Sequence, residues 1–210
     1  MSEKLFIGIC NTQHEVPADF FWSFIHIRNP YSIQAYRAKH PWDVIRNNQI
    51  IDKFLKSDCT ILAKMDIDQT YPADYFTRFV PLAVEYGVAG PLIFDRWEEN
   101  GFVPLAFDRL EGVFPVPADI SGLSGVTEIH YPHTNLFYRR DVFEKIPPPW
   151  YEAYLSGDGL SRANHVDFAL IDKIHKAGFK CMIDFDCVVG HEYNTFVNRK
   201  FHDIWNKGTR

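Results

Sequence analysis

The sequence has no apolar run approaching the ~20 residues that carry a helix across a bilayer, so no helical membrane span is expected. Its start, Met1-Ser2-Glu3-Lys4 before the short run Leu5–Cys10, is too brief and wrongly flanked for a secretory leader, and a cytoplasmic protein is expected. Cysteine is scarce: Cys10, Cys59, Cys181 and Cys187 each fall in strand-like apolar runs, and none forms a Cys-x-x-Cys pair. They read as small core residues in a reducing compartment, which excludes a disulfide framework and argues against structural zinc. Basic excess is also missing, since 22 Lys and Arg face 27 Asp and Glu for a net charge of −5. There is thus no global attraction to nucleic acid or anionic membrane, although local basic patches remain open. Repeats and low-complexity segments are absent too, while 46% hydrophobic and 16% aromatic residues in a 210-residue chain suffice for a full core.

What is present is an acidic pair at a telling place. Asp66-Ile67-Asp68 follows the apolar run Cys59–Met65 and precedes the turn-like Gln69-Thr70-Tyr71-Pro72. Apolar residues favour a buried strand and a proline cannot continue its ladder, so both acids are expected at the carboxyl end of a sheet strand. Open α/β sheets bind ligands at that edge. Side chains two apart share a face of a strand, and two carboxylates there can converge on one divalent ion. Solvated loop acids are the alternative.

The surrounding pattern alternates strand and helix. Leu5–Cys10 reads as a first strand, Pro17 opens a helix carrying Phe20, Phe21, Phe24 and Ile25, and Tyr31–Tyr36 suggests a second strand. A helix from Pro41 carries Val44, Ile51, Phe54 and Leu55. After the acidic strand, a helix to Tyr86 buries Phe76, Phe79, Val80 and Ala83, and Val88–Phe94 makes another strand. Asn100-Gly101 suggests a hairpin, and Gly112–Gly125 is a Gly- and Pro-rich insert. Strands at Val126–Tyr131 and Asn135–Tyr138, a short helix from Asp141, a helix Val166–Ala177 closed by Gly178, and a last strand Lys180–Val189 before Gly190-His191-Glu192 complete the reading. This predicts an α/β fold with a mostly parallel central sheet flanked by helices and a small antiparallel or irregular insert. The chain 1–210 reads as one domain: a nucleotide-binding half to about residue 95, an acceptor-side half to about 193, and a tail. A second Asp-x-Asp, Asp184-Phe185-Asp186, continues into apolar Cys187-Val188-Val189 without a turn and reads as structural.

Several segments together resemble GT-A-fold glycosyltransferases, closest in layout to the family 2 type and to short phage-encoded members. They are Arg46-Asn47, Leu62–Asp68, Asn135–Phe143, Pro149-Trp150-Tyr151, Val166-Asp167-Phe168, Lys176–Lys180, Asp184 and Gly190-His191. The resemblance implies a Rossmann-like GT-A sheet, a UDP-sugar donor (UDP-glucose first), and transfer to an acceptor hydroxyl with inversion favoured. It implies that Asp68 ligates Mn2+ or Mg2+, that Asp66 touches the ribose or the metal through water, and that His191 completes the shell. Carboxylates with an imidazole tilt the choice toward manganese. Asp167 matches the second acid of the family's Glu-Asp pair and would be the general base, although Val166 stands where the Glu is expected. The alternatives are a helix-capping Asp167 and a strand-capping His191, and Asp158 is the reserve base. Asn11 and Thr12 lie in the loop that cradles the nucleoside in the family. Arg46 and Asn47 position the donor or form a solvated helix face, and Trp150, Tyr151 and Tyr154 stack on a sugar or base or simply pack. No Gly-rich basic loop follows the first strand, which argues against a nucleotidylyltransferase.

The phage-like resemblance points to a hydroxymethylated base in DNA as acceptor, taken out of the stack, and the protein would then work in the host cytoplasm. Arg139, Arg140, Arg199-Lys200 and Lys207–Arg210 would contact phosphates, unless they are ordinary surface charge. The alternatives are a glycan or protein acceptor, or a binding module that holds a nucleotide-sugar without turnover.

Overall fold

The computed structural model describes residues 3–11, 15–96, 102–111, 114–132, 135–155, 157, 166–192 and 196–197. In chain order the first elements are β1 (Lys4–Cys10), α1 (Ala18–Ile25), β2 (Ser32–Ala38), α2 (Asp43–Leu55), β3 (Ile61–Asp66), β4 (Gln69–Thr70), α3 (Tyr75–Tyr86) and β5 (Gly87–Ile93). Then follow β6 (Ala106–Glu111), β7 (Phe114–Pro117), β8 (Val126–Glu128), β9 (Tyr131–Pro132), β10 (Phe137–Arg139), α4 (Arg140–Lys145), α5 (Val166–Lys176), β11 (Lys180–Glu192) and β12 (Phe196–Val197).

The main sheet runs β12-β11-β5-β10-β3-β1-β2, with β4 and β8 paired to β11. β1 is parallel to β2 and β3, and β5 is parallel to β11. β10 lies antiparallel between β3 and β5 and joins the two parallel blocks. β6, β7 and β9 make a separate three-stranded antiparallel sheet, which is the small insert expected from the sequence. Asn100-Gly101 lies outside the described residues, but its flanks pair: Phe94 bridges Pro104, and the Leu105 amide donates to the Ile93 carbonyl at 2.8 Å.

Alternation along the strands divides the core into two layers. Leu5, Ile7, Ile61, Ala63 and Met65 face the layer of α1 and α3, whereas Phe6 and Leu62 face the layer that includes Ile50, Ile51 and Phe54 of α2. Helix α2 sits unusually close to β1 at Gly8, where a Cβ would lie 2.3 Å from Ile50 Cγ2. Helix α3 stacks Phe79 on Phe137, with centroids 5.4 Å apart. Gly178 follows α5 with φ +85°, the left-handed position that a glycine end signal requires.

In α1 only Phe20 is buried, and Phe21 and Ile25 are exposed, because the helix has just eight residues and touches the core through Phe20 against Tyr71. The Gln69-Thr70 turn is a short strand on β11, which extends β11 through His191. The register of β11 shifts between Asp184 and Val188. Asp184 is buried there, paired with Arg78 at 2.9 Å, while Asp186 accepts from the Gly125 amide at 3.0 Å, so the second Asp-x-Asp serves the sheet.

Arg139 and Arg140, expected to contact phosphates unless they are ordinary surface charge, hold the fold instead. Arg140 donates to the carbonyls of Leu55 (2.6 Å), Cys59 (3.0 Å) and Ser57 (3.1 Å), gathering acceptors left open at the end of α2. Arg139 binds Asp141 at 2.7 Å and the Val84 carbonyl. Arg139 pairs in register with Ile61, at the opposite end of β3 from Asp66. That separation is roughly 17 Å at strand rise. Both arginines therefore hold the fold at the wrong edge to serve a site at Asp66. Arg140→Met is expected to lower the stability of the whole chain by about 2 kcal/mol in urea unfolding, because it strands those carbonyls. Donor affinity should be unchanged.

Candidate active site

Strand alternation places Lys64 and Asp66 on the same face of β3 as Leu62. Lys64 is buried, and its Nζ lies 3.7 Å from Asp167 Oδ1 in the first turn of α5 and 5.7 Å from the centre of the Tyr151 ring. Burial pulls the ammonium toward neutrality, but the charges of Asp167 and Asp66 outweigh it and hold its pKa above the usual lysine range. Burial pushes the Asp66 carboxyl up; Lys64 opposes this, and the neighbouring charges of Asp68 and Asp167 add to it.

The turn beyond Asp66 is clamped by its own backbone. The Asp66 amide donates to Tyr71 Oη at 3.0 Å, and Tyr71 Oη donates back to the Asp66 carbonyl at 2.8 Å. The buried Asn135 amide reaches both Gln69 and Tyr71, tying the turn to the segment before β10. Gln69 then pairs with His191 across β4 and β11, and the Glu192 amide donates to the Asp68 carbonyl at 2.7 Å. Asp68 and His191, far apart in the sequence, thus become neighbours through a strand pair.

Their geometry is specific. His191 Nδ1 lies 3.0 Å from the Phe94 carbonyl, which can only accept, so Nδ1 carries the proton. In the neutral ring, Nε2 then aims a lone pair at Asp68 Oδ2, 3.6 Å away. Two electron-rich atoms facing each other call for a cation between them, either a proton or a metal ion. Arg96 Nη1 sits on the same oxygen at 2.7 Å. Burial works to raise the Asp68 carboxyl, but His191 and Arg96 outweigh it and hold it below the usual aspartate range. Among the described residues no three His, Cys, Asp or Glu side chains are gathered to hold a metal, so Asp66 is not part of a preformed three-residue set. The oxygen and nitrogen of Asp68 and His191 nevertheless fit two positions of a manganese or magnesium shell.

The other expected site residues divide. Trp150 (8% exposed) and Tyr151 (3%) are core residues, with Trp150 Nε1 donating to the Ile146 carbonyl at 3.0 Å. They present no stacking face to an acceptor, and in the same segment it is Tyr154 that is exposed. Asn47 is buried and accepts from the Cys10 thiol at 3.2 Å, linking α2 to the end of β1, so it is not a solvated face. Burial pushes that thiol up to about 11, which keeps it protonated. Asn11 is buried, and its amide donates to the Ala38 carbonyl at 3.2 Å, tying the ends of β1 and β2 together. Arg46 donates to the carbonyls of His40 and Pro41, both at 2.7 Å, and so shapes the entry to α2. An open cavity of about 610 Å³ lies there, lined by residues 41–46 and Ala153, with Trp42 69% exposed on its wall. Because α2 follows β2, this cavity opens at the same sheet edge as Asp66. Thr12, Asp158 and the basic tail residues Arg199, Lys200, Lys207 and Arg210 lie outside the described residues.

Lys64 and Arg96 were missed from sequence. Lys64 carried a signal, as the one charged residue in the apolar run before Asp66. Arg96 carried a weaker one, as a charge just past the carboxyl end of β5.

No protein-family model and no curated protein matches this sequence. Solved structures do share its fold. A197 from STIV superposes with a TM-score of 0.57 at 13% identity, covering 91% of this chain and 86% of that one. GalNAc-T7 with UDP, GalNAc and Mn2+ gives 0.59 at 14% identity, covering 91% of this chain but 44% of that one. CMP:2-keto-3-deoxy-manno-octonic acid synthetase complexed with CTP gives 0.50 at 10% identity, covering 93% and 94%. The fold is GT-A-like. It is a fold that glycosyltransferases and a nucleotidyltransferase share, and identities this low carry the likeness no further than the fold.

Breaking the Lys64–Asp167 pair from one side leaves a buried charge without its partner. Lys64→Met is therefore expected to destabilise the chain by about 3 kcal/mol or more, and Lys64→Met with Asp167→Asn by clearly less than the sum of the single changes. A thermal or urea double-mutant cycle reads this coupling, and strict additivity would show that the two groups do not interact.

Proposed function

We propose that the protein is a divalent-metal-dependent glycosyltransferase that moves a sugar from a nucleotide-sugar donor, UDP-linked by the resemblance, to an acceptor hydroxyl with inversion. The observation that carries this is His191 Nε2 facing Asp68 Oδ2 at 3.6 Å at the carboxyl edge of a GT-A-like sheet, with Asp167 on a neighbouring element. Asp68 and His191 would hold the ion, with diphosphate oxygens in other positions; a divalent ion there neutralises charge on the departing diphosphate. The cavity at the start of α2 is of a size to take the nucleoside.

Asp167 accepts the proton of the acceptor hydroxyl as its oxygen attacks the anomeric carbon and the bond to the diphosphate oxygen breaks. Lys64 stands 3.7 Å from this carboxylate and pairs with it. A DNA acceptor loses support from Arg139, Arg140 and Trp150, each of which has a structural task elsewhere, and from Tyr151, which is buried beside Lys64. The acceptor is accordingly proposed only as a hydroxyl-bearing molecule.

Release of UDP from UDP-sugars, with and without DNA, protein and oligosaccharide acceptors, tests transfer. Acceptor-dependent release with a matching mass increment is expected. Binding without turnover would make the protein a nucleotide-sugar-binding module, and pyrophosphate release from a nucleoside triphosphate would make it a nucleotidyltransferase. Asp68→Ala should abolish divalent-dependent UDP binding in calorimetry. Asp167→Asn should reduce transfer by on the order of a hundredfold while UDP still binds, and near-normal transfer would remove Asp167 as the base.

A further inference from the structure

The Asp68–His191 pair that the proposed function assigns to a metal is already engaged by a cation of the chain itself. Asp68 Oδ2 receives Arg96 Nη1 at 2.7 Å and faces His191 Nε2 at 3.6 Å, so a single oxygen is shared between the guanidinium and the imidazole. A divalent ion bound to that oxygen at about 2.1 Å would stand within about 4.8 Å of the guanidinium nitrogen if Arg96 stayed. Like charges that close repel strongly in a half-buried site, and both ends of the pair are only about one-third exposed. The ion and Arg96 therefore compete for Asp68.

Arg96 has somewhere to go. It stands two residues past the pairing position Phe94, whose carbonyl fixes His191, and so at the sheet edge where a bound diphosphate would lie. A planar guanidinium with several donors suits phosphate oxygens better than a point charge does. We propose that Arg96 is the exchangeable counter-ion of the site: it holds Asp68 while no divalent ion is bound, is displaced by the ion, and then binds the diphosphate of the donor. This rests on the metal-dependent reading above and adds to it a residue that sets metal affinity and donor affinity in opposite directions.

The exchange is tested on the full-length chain by calorimetry with Mn2+ alone, and then with UDP at saturating Mn2+. Arg96→Gln should bind Mn2+ on the order of tenfold more tightly than the unaltered protein, because the competing charge is gone, and should bind UDP on the order of tenfold more weakly. Arg96→Lys, which keeps the charge but not the fork, should leave Mn2+ affinity near the starting value and still weaken UDP. Equal or weaker Mn2+ binding in Arg96→Gln, with Mn2+ binding lost in Asp68→Ala, overturns the exchange and leaves the metal site standing. Unchanged UDP affinity in Arg96→Gln overturns the diphosphate role. Absence of Mn2+ binding in both the unaltered and Arg96→Gln proteins overturns the exchange and the metal-dependent reading together.

Discussion

The site depends on balancing negative charge at the carboxyl end of β3. Asp66, Asp68 and Asp167 gather where solvent is partly excluded, and carboxylates this close resist ionising together unless cations separate them. Among the described residues two stand there. Lys64 stands toward Asp66 and Asp167, and Arg96 stands on Asp68. Taking Lys64 out of water is costly, and it stays charged only because the acids repay that cost, so acids and lysine sustain one another. Either one alone in that position would be a defect in the core.

This balance explains features of the fold that otherwise look incidental. The antiparallel β10 between β3 and β5 brings Asn135 against the turn after Asp66, where its amide meets Gln69 and Tyr71. Asn135 has φ +38°, a conformation that costs little for asparagine and turns its side chain to this task. The long β11, bent by the register shift after Asp184, carries His191 out to β4, and β4 exists because the residues after Asp68 pair with it. A loop could hold Asp68 near His191 only loosely. A strand pair fixes the backbone on both sides, so the side chains inherit a narrow range of positions.

What was legible in the sequence follows from what one chain's local pattern can encode. The ends of strands are marked by the change from apolar residues to acids, glycine and proline, so Asp66, Asp68 and His191 were visible as edge residues, as was Asp167 at a helix start. Burial direction is not marked in the same way. Trp150 and Tyr151 follow a proline run that gives no period, and they turned out to face the core rather than an acceptor. Arg139 and Arg140 look like any basic pair until α2 is docked and its last carbonyls need donors. Phe21 and Ile25 have the spacing of a core face, yet α1 is too short to bury more than Phe20. Arg96 is hidden for a different reason: its partner lies 28 positions away and meets it only because β5 adjoins β11.

The same charges bear on the order in which ligands enter under the proposed function. Acidic groups outnumber the two cations there, with Asp66, Asp68 and Asp167 around Lys64 and Arg96. A diphosphate arriving alone adds negative charge to that surplus, and the displaced water returns nothing comparable. A divalent ion arriving alone must contend with Arg96. Arriving together, the ion gains phosphate oxygens, the diphosphate gains both the ion and the freed guanidinium, and Asp68 keeps a cation throughout. Each ligand removes the obstacle to the other, so the two affinities are coupled, and by linkage the ion strengthens donor binding by the factor with which the donor strengthens that of the ion. The coupling needs no movement of the sheet, only the exchange of one cation for another on a single oxygen.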